Sequence, residues 1–158
     1  MNLKLISYLK NLIHIKDDPE HHPEESTYHH VIQSFRIARK ESDDRELWVA
    51  ALFHDIGKLI ESHGHENHSV DILIAFGYKN EKVLWLIRNH MKIRWFLTGK
   101  LARRGKVRDL LDNQWISELI HLRRCDGLAR KVGTTPKIDE QEILQLLEET
   151  NDPNIDKI

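Results

Sequence analysis

The sequence predicts an all-α, single-domain helical bundle, on three observations. Apolar residues recur at helical spacing in one segment after another. No stretch alternates apolar and polar residues as a half-buried strand would. Capping residues and breakers fall between the periodic stretches. Leu3, Leu5, Ile6, Leu9, Leu12 and Ile13 mark a first helix near residues 2–14. Residues 16–25 are polar and broken twice by proline, at Pro19 and Pro23, and read as a loop. Ser26 or Thr27 caps a second helix with Val31, Ile32, Phe35 and Ala38 on one face. Asp43 or Asp44 caps a third, which carries Leu47, Val49, Ala50, Ala51, Leu52 and Phe53 and is expected to stop at Gly57. After the loop Ser62-His63-Gly64-His65-Glu66, a fourth helix holds Val70, Ile72, Leu73, Ile74 and Phe76 and ends at Gly77. A fifth spans 81–91, with Val83, Leu84, Leu86 and Ile87 inside. Residues 93–111 are less regular: the stretch 92–108 is basic (Lys92, Arg94, Lys100, Arg103, Arg104, Lys106, Arg108) and contains Trp95 and Phe96. Asn113 caps a long helix from 114 to about 131, which Gly133-Thr134-Thr135-Pro136 breaks. A last short helix covers 140–149, ahead of a frayed tail at 150–158.

The bulk composition limits what this bundle can be. A chain of 158 residues, 40% hydrophobic, supports one domain, 1–158, with its core at about 20–131, and is short for two. A net charge of −1 gives no global field toward nucleic acid or acidic membranes. Cys125 is the single cysteine, which excludes an internal disulfide framework and is read as a small core residue. Lysines interrupt the apolar residues of the first ten positions, unlike a signal peptide, and no apolar run approaches the ~20 residues that span a bilayer. A cytoplasmic protein without membrane association is the expectation, and the oligomeric state is open.

Eleven histidines are many for this length. His54-Asp55 follows the apolar run Ala51-Leu52-Phe53, where a buried ionisable pair needs an ion partner or a metal to offset desolvation. Neighbours on a helix diverge by about 100°, so any further ligands come from other helices. His30, among Val31, Ile32 and Phe35, and Asp126, late in the long helix, are the candidates. Imidazole and carboxylate donors without thiolate suit manganese, iron, cobalt, nickel or zinc, and a mixed His/Asp set with open positions reads as catalytic. The plain alternative for His54-Asp55 is a salt-bridged pair at a helix C-terminus.

In this order, His30, His54-Asp55 and Asp126 resemble the H…HD…D signature of HD-domain phosphohydrolases. His22-Pro23-Glu24, five residues and then His30 resembles the approach to the first histidine in the HD domains of bacterial tRNA nucleotidyltransferases. His54-Asp55-Ile56-Gly57-Lys58 is similar to the family's HDxGK block, His63-Gly64-His65-Glu66 to its glycine-histidine loop, Asn89-His90-Met91 to its helix-borne histidine, and Cys125-Asp126-Gly127-Leu128-Ala129-Arg130 to its last acidic block. The resemblance covers roughly residues 20–131. It implies an α-helical bundle around one or two divalent metals per chain. His30, His54, Asp55 and Asp126 would hold the first; Asp55 would bridge to a possible second, held by His65 and His90. Asn89 stands where dinuclear relatives often carry another histidine. No glycine-serine block with paired acids precedes the HD region, so CCA addition is not expected.

The implied reaction is hydrolysis of a phosphomonoester or phosphodiester by metal-activated water, on a small phosphorylated substrate, a nucleotide or an RNA end. Asp55, Lys58 and Arg130 are the expected catalytic residues. Lys58, at i+4 from His54, suits a phosphate oxygen, and Arg130, at i+4 from Asp126, could clamp another; Arg94 is a weaker candidate. The alternatives for Lys58 are a helix-end cation, and for residues 92–108 a solvated face rather than a base-stacking grip. His21, His29, His63 and His121 are read as surface or supporting groups and His68 as solvated, while His22 and Glu24 shape an entrance or punctuate a turn. Two competing functions are a non-catalytic nucleotide- or RNA-binding module and a diiron oxygenase.

Overall fold

Leu5, Ile6 and Leu9 turn one side of the first helix, α1 (Asn2–Lys10), into the core. The structure, a computed structural model, describes residues 2–20, 22–100 and 104–151; His21 and the tail from residue 152 lie outside these. The expected helix to residue 14 is two elements. A 3₁₀ turn, Asn11–His14, takes over from α1, and its tighter winding buries Leu12 before the chain enters the proline-broken loop. Ser26, extended in backbone, accepts the His29 N–H and starts α2 (Thr27–Glu41). Asp44 accepts from Glu46 and Leu47 N–H and starts α3 (Arg45–Phe53).

Gly57 is not the stop of α3. That helix ends at Phe53, and Gly57 sits inside a second 3₁₀ turn, Ile56–Leu59. Its role is close approach: a Cβ there would meet His65 O at 2.1 Å and Ser69 N at 2.5 Å, both backbone atoms of α4 (His65–Ala75). Gly57 N–H donates to Ser69 Oγ at 2.8 Å, and Ser69 Oγ–H donates to His54 O at 2.9 Å, clamping the His54-Asp55 turn to α4. Gly57→Ala is therefore expected to cost at least the ~1–3 kcal/mol of an overpacked core, because backbone must move. A lowered denaturant midpoint at unchanged slope would show it.

α5 (Glu81–Leu97), capped by Asn80, runs six residues past the expected end at 91. His90 and Lys92 break the apolar pattern there, but Ile93 is fully buried and Phe96 packs on the core, so packing carries the helix on. The irregular stretch contains a short α6 (Arg104–Leu111). α7 (Ile116–Leu128) is shorter than 114–131 at both ends. Asn113 still accepts an N–H, from Trp115, in the turn before it. At the far end Ala129 O accepts from His30 Nδ1–H, and Gln33 pairs with both the N–H and C=O of Lys131, drawing the chain onto α2. α8 (Glu140–Asn151) closes against α1 and α3.

α2, α3, α5 and α7 pack on one another around Phe53, Leu47, Leu52, Leu86, Ile87, Leu119 and Leu122, all fully buried. No strand occurs among the described residues, and no helix there is long and apolar enough to cross a membrane. The fold is all-α, as the sequence predicts.

Candidate metal centre

Four helices and one turn deliver ionisable groups to a single buried point. α2 brings His30, the turn after α3 brings His54 and Asp55, α4 opens with His65, α5 brings His90 and α7 brings Asp126. All six are buried. His65 is aimed by Gly64, whose positive φ of 72° turns the chain into α4.

The imidazoles share one orientation rule. Nδ1–H donates to a backbone carbonyl in each: His30 to Ala129 O at 2.9 Å, His54 to Ala51 O at 2.7 Å, His65 to Ser62 O at 2.9 Å, His90 to Ile87 O at 2.6 Å. A carbonyl only accepts, so these contacts assign the Nδ1 proton and turn every Nε2 inward. Inside, Asp55 is the hub. Its Oδ2 faces His54 Nε2 at 3.3 Å and His30 Nε2 at 3.5 Å; its Oδ1 faces His65 Nε2 at 3.0 Å and His90 Nε2 at 3.6 Å. Asp126 Oδ1 lies 2.8 Å from His30 Nε2 and 3.5 Å from His54 Nε2. Two adjoining clusters, His30-His54-Asp55 and Asp55-His65-His90, thus have ligand-type atoms close enough to hold a cation each.

The carboxylates favour positive charge at this point, whether carried by protons on the imidazoles or by a cation that displaces them. Burial opposes charge on His30, but Asp126, Glu24 and Asp55 push its pKa up to about 10. His54, opposed by burial in the same way, is pushed up to about 9 by Asp55 and Asp126. Asp55 and Asp126 resist burial and are held well below the usual carboxylate range, chiefly by His54 and Lys58 for the one and by His30 and His54 for the other. His90 goes the other way: burial pulls it down, with the hydrogen bond to Asp55 opposing. His54 Nε2 is buried with no hydrogen-bond partner, and His65 Nε2 faces His90 Nε2 at 3.1 Å, two nitrogens whose other protons are already committed. Converging nitrogen and carboxylate donors without thiolate, one of them orphaned, fit a borderline divalent cation.

The structure places the other expected residues differently from one another. Lys58 is not at a helical i+4 from His54, because the 3₁₀ turn intervenes. Its ammonium donates to Asp17 Oδ2 at 2.9 Å and stands 3.6 Å from Asp55 Oδ2. Arg130 lies beyond the end of α7, and its Nε donates to Gly127 O at 3.1 Å. Asn89 donates to Trp85 O at 2.9 Å, back along its own helix and away from the clusters. His29 is buried rather than superficial, and its Nδ1 is 2.7 Å from Ser26 Oγ. His121 pairs with Glu41 at 2.9 Å, and Cys125 is fully buried, which raises its thiol to about 12.

Two residues with a part here, Asp17 and Arg123, were missed, and Glu24 was read only as shaping an entrance or punctuating a turn. Glu24 is buried and its Oε1 is 3.2 Å from His30 Nδ1 and 2.8 Å from His22 Nδ1. Asp17, from the polar loop, anchors Lys58 and accepts from Thr27 Oγ1–H at 3.2 Å. Arg123, three residues before Asp126, was legible only as an i, i+3 neighbour. Beside the second cluster opens a cavity of about 440 Å³, lined by Lys58, residues 62–67, Met91, Arg94 and Trp95.

A family model described as HD domain matches residues 27–148. The multifunctional CCA protein of Thioalkalivibrio sulfidiphilus (strain HL-EbGR7) is 35% identical over 78 residues, 45% of this chain. The matched part is 19% of that protein, so the chain is similar to a small portion of its relative.

Proposed function

The chain belongs to the HD domain family, and from that premise we propose that it is a metal-dependent phosphohydrolase acting on a nucleotide or a nucleic-acid end. One observation carries the reading: a single carboxylate, Asp55, presents one oxygen to His30 and His54 and the other to His65 and His90. His30, His54, Asp55 and Asp126 would hold a divalent manganese, iron, cobalt, nickel or zinc ion. His65 and His90 would hold a second with Asp55. Such a cation supplies charge that polarises a phosphoryl oxygen and acidifies a water.

The chain's own residues do the rest. The backbone carbonyls of Ala129, Ala51, Ser62 and Ile87 hold the four Nε2 atoms inward. His54 and Lys58 keep Asp55 ionised against the pull of burial, and Asp17 holds Lys58 in place. Lys58 also reaches the cavity wall, together with Arg94 and Trp95, where phosphate oxygens and a base would lie. The similarity to part of a CCA protein supports a nucleotide or RNA-end substrate. The bundle is proposed to act as one domain over its whole length.

The test is phosphate release from nucleoside monophosphates, 2′,3′-cyclic nucleotides and dinucleoside polyphosphates with manganese, cobalt or nickel. Chelation should stop turnover and re-added metal restore it. Binding without turnover across the panel would replace this reading with a nucleotide-binding module. Glu24→Gln should weaken metal affinity about 10–100-fold, the usual cost of losing the group behind a ligating histidine. Glu24 is held below its usual pKa by His30 and His22 against the pull of burial, so the variant removes a real charge. Metal titration would read it, and unchanged affinity would reduce Glu24 to a loop brace.

A further inference from the structure

Glu41, His121 and Cys125 share no residue with the clusters around Asp55, yet each puts a ligand-type atom within 4.8 Å of the other two. The sequence explains the meeting. His121 and Cys125 are four residues apart on α7, so their side chains rise from one face of that helix. Glu41 is the last residue of α2, which packs on α7. Its Oε1 lies 2.9 Å from His121 Nε2. Zinc bonds of ~2.0–2.3 Å in a tetrahedron set ligand atoms about 3.5 Å apart, a spread that side-chain adjustment can reach without moving a helix.

The donors differ in kind from those around Asp55. That centre offers nitrogen and oxygen; this group adds sulfur. Thiolate with imidazole selects zinc over hard cations such as magnesium or manganese. Cys125 is fully buried, while His121 and Glu41 are partly open, so a cation enters from their side and keeps a water as fourth ligand. Burial first, and then the Glu41 charge, push the Cys125 thiol up to about 12. A free thiolate is disfavoured there, but a coordinating thiol is deprotonated by the metal outright. Arg124 supplies the countercharge of Glu41, its Nε donating to Oε1 and its Nη2 to Oε2, each at 3.1 Å. The Arg124 side chain is 60% exposed, and an exposed ion pair of this kind is weak beside metal coordination.

We propose that Glu41, His121 and Cys125 form a separate zinc site that ties the end of α2 to α7. Cys125 directly precedes Asp126, so the tie also steadies the turn of α7 that delivers Asp126 to the centre. The site stands whichever reaction that centre performs.

Titration with cobalt(II) reads it, because Cys125 is the single cysteine of the chain. A sulfur-to-cobalt charge-transfer band in the near ultraviolet arises only where cobalt meets that thiolate, however much cobalt enters the nitrogen–oxygen centre. The band should appear, and added zinc should erase it by displacement. His121→Asn and Glu41→Gln should each weaken the cobalt affinity read from the band at least about tenfold, since losing even a group behind a ligand costs that much. Cys125→Ser should abolish the band. If that variant fails to fold, the other two, at partly open positions, carry the test. No charge-transfer band in the unaltered protein overturns the site. So does a band of unchanged affinity in either His121→Asn or Glu41→Gln, which marks a thiol meeting cobalt alone.

Discussion

Asp55→Asn is expected to lower phosphate release by more than about 10³-fold, beyond the 10²–10³ typical of one lost electrostatic contact. The reason is its shared position. Its two oxygens serve different imidazole pairs, so one substitution impairs both clusters, where His90→Ala would impair one. Asparagine keeps the shape and removes the charge, leaving Lys58 with Asp17 alone. Metal stoichiometry and turnover should fall together, with helical content retained. Activity that persists in Asp55→Asn would remove the basis for metal-dependent hydrolysis at this centre.

Manganese or nickel should raise the thermal midpoint markedly, and a chelator should reverse the shift. At a hundredfold excess over Kd, binding to the native state alone adds about 2.7 kcal/mol. For a chain of this length that is a rise of roughly 5–10 °C. A cation in the first cluster would join α2, the turn after α3 and α7, and one in the second would add α4 and α5, so the whole bundle would gain. The same titration on His90→Ala separates the clusters: it should keep the part of the shift that belongs to His30, His54 and Asp126. A midpoint indifferent to every divalent cation would leave the buried imidazoles as a hydrogen-bonded core.

The helices were legible wherever apolar spacing decided them, as with Leu5-Ile6-Leu9 and Val31-Ile32-Phe35. Boundaries failed where a tertiary contact outweighed local pattern. α5 continues through His90 and Lys92 because Ile93 finds the core, and α7 stops early because His30 and Gln33 claim the backbone after it. Gly57 was read as a stop because a glycine after an apolar run usually is one; the close pass of α4 is visible only in three dimensions. His30, His54, Asp55 and Asp126 were legible in the residues themselves, and His65 and His90 through the family resemblance. Their partners were less so: Asp17 and Glu24 act across the chain on Lys58 and His30, where no local periodicity marks them, and Arg123 shows only its i, i+3 spacing to Asp126. Lys58 shows the same limit, since its i+4 placement assumed an α-helix where the chain winds as 3₁₀.

The contact between His30 and Asp126 spans 96 residues, and its timing matters as much as its length. A chain made from its N-terminus releases His30, His54 and Asp55 well before Asp126. Until α7 arrives, Ala129 is not there to aim His30, and the second acid is missing. A nascent chain therefore offers scavenged cations only a loose, incomplete chelate. Loop closure over such a separation is costly until the bundle packs. For a metal held as proposed, loading would be the last event of folding rather than its seed, and a chain stalled before α7 would lack both Asp126 and the carbonyl that aims His30.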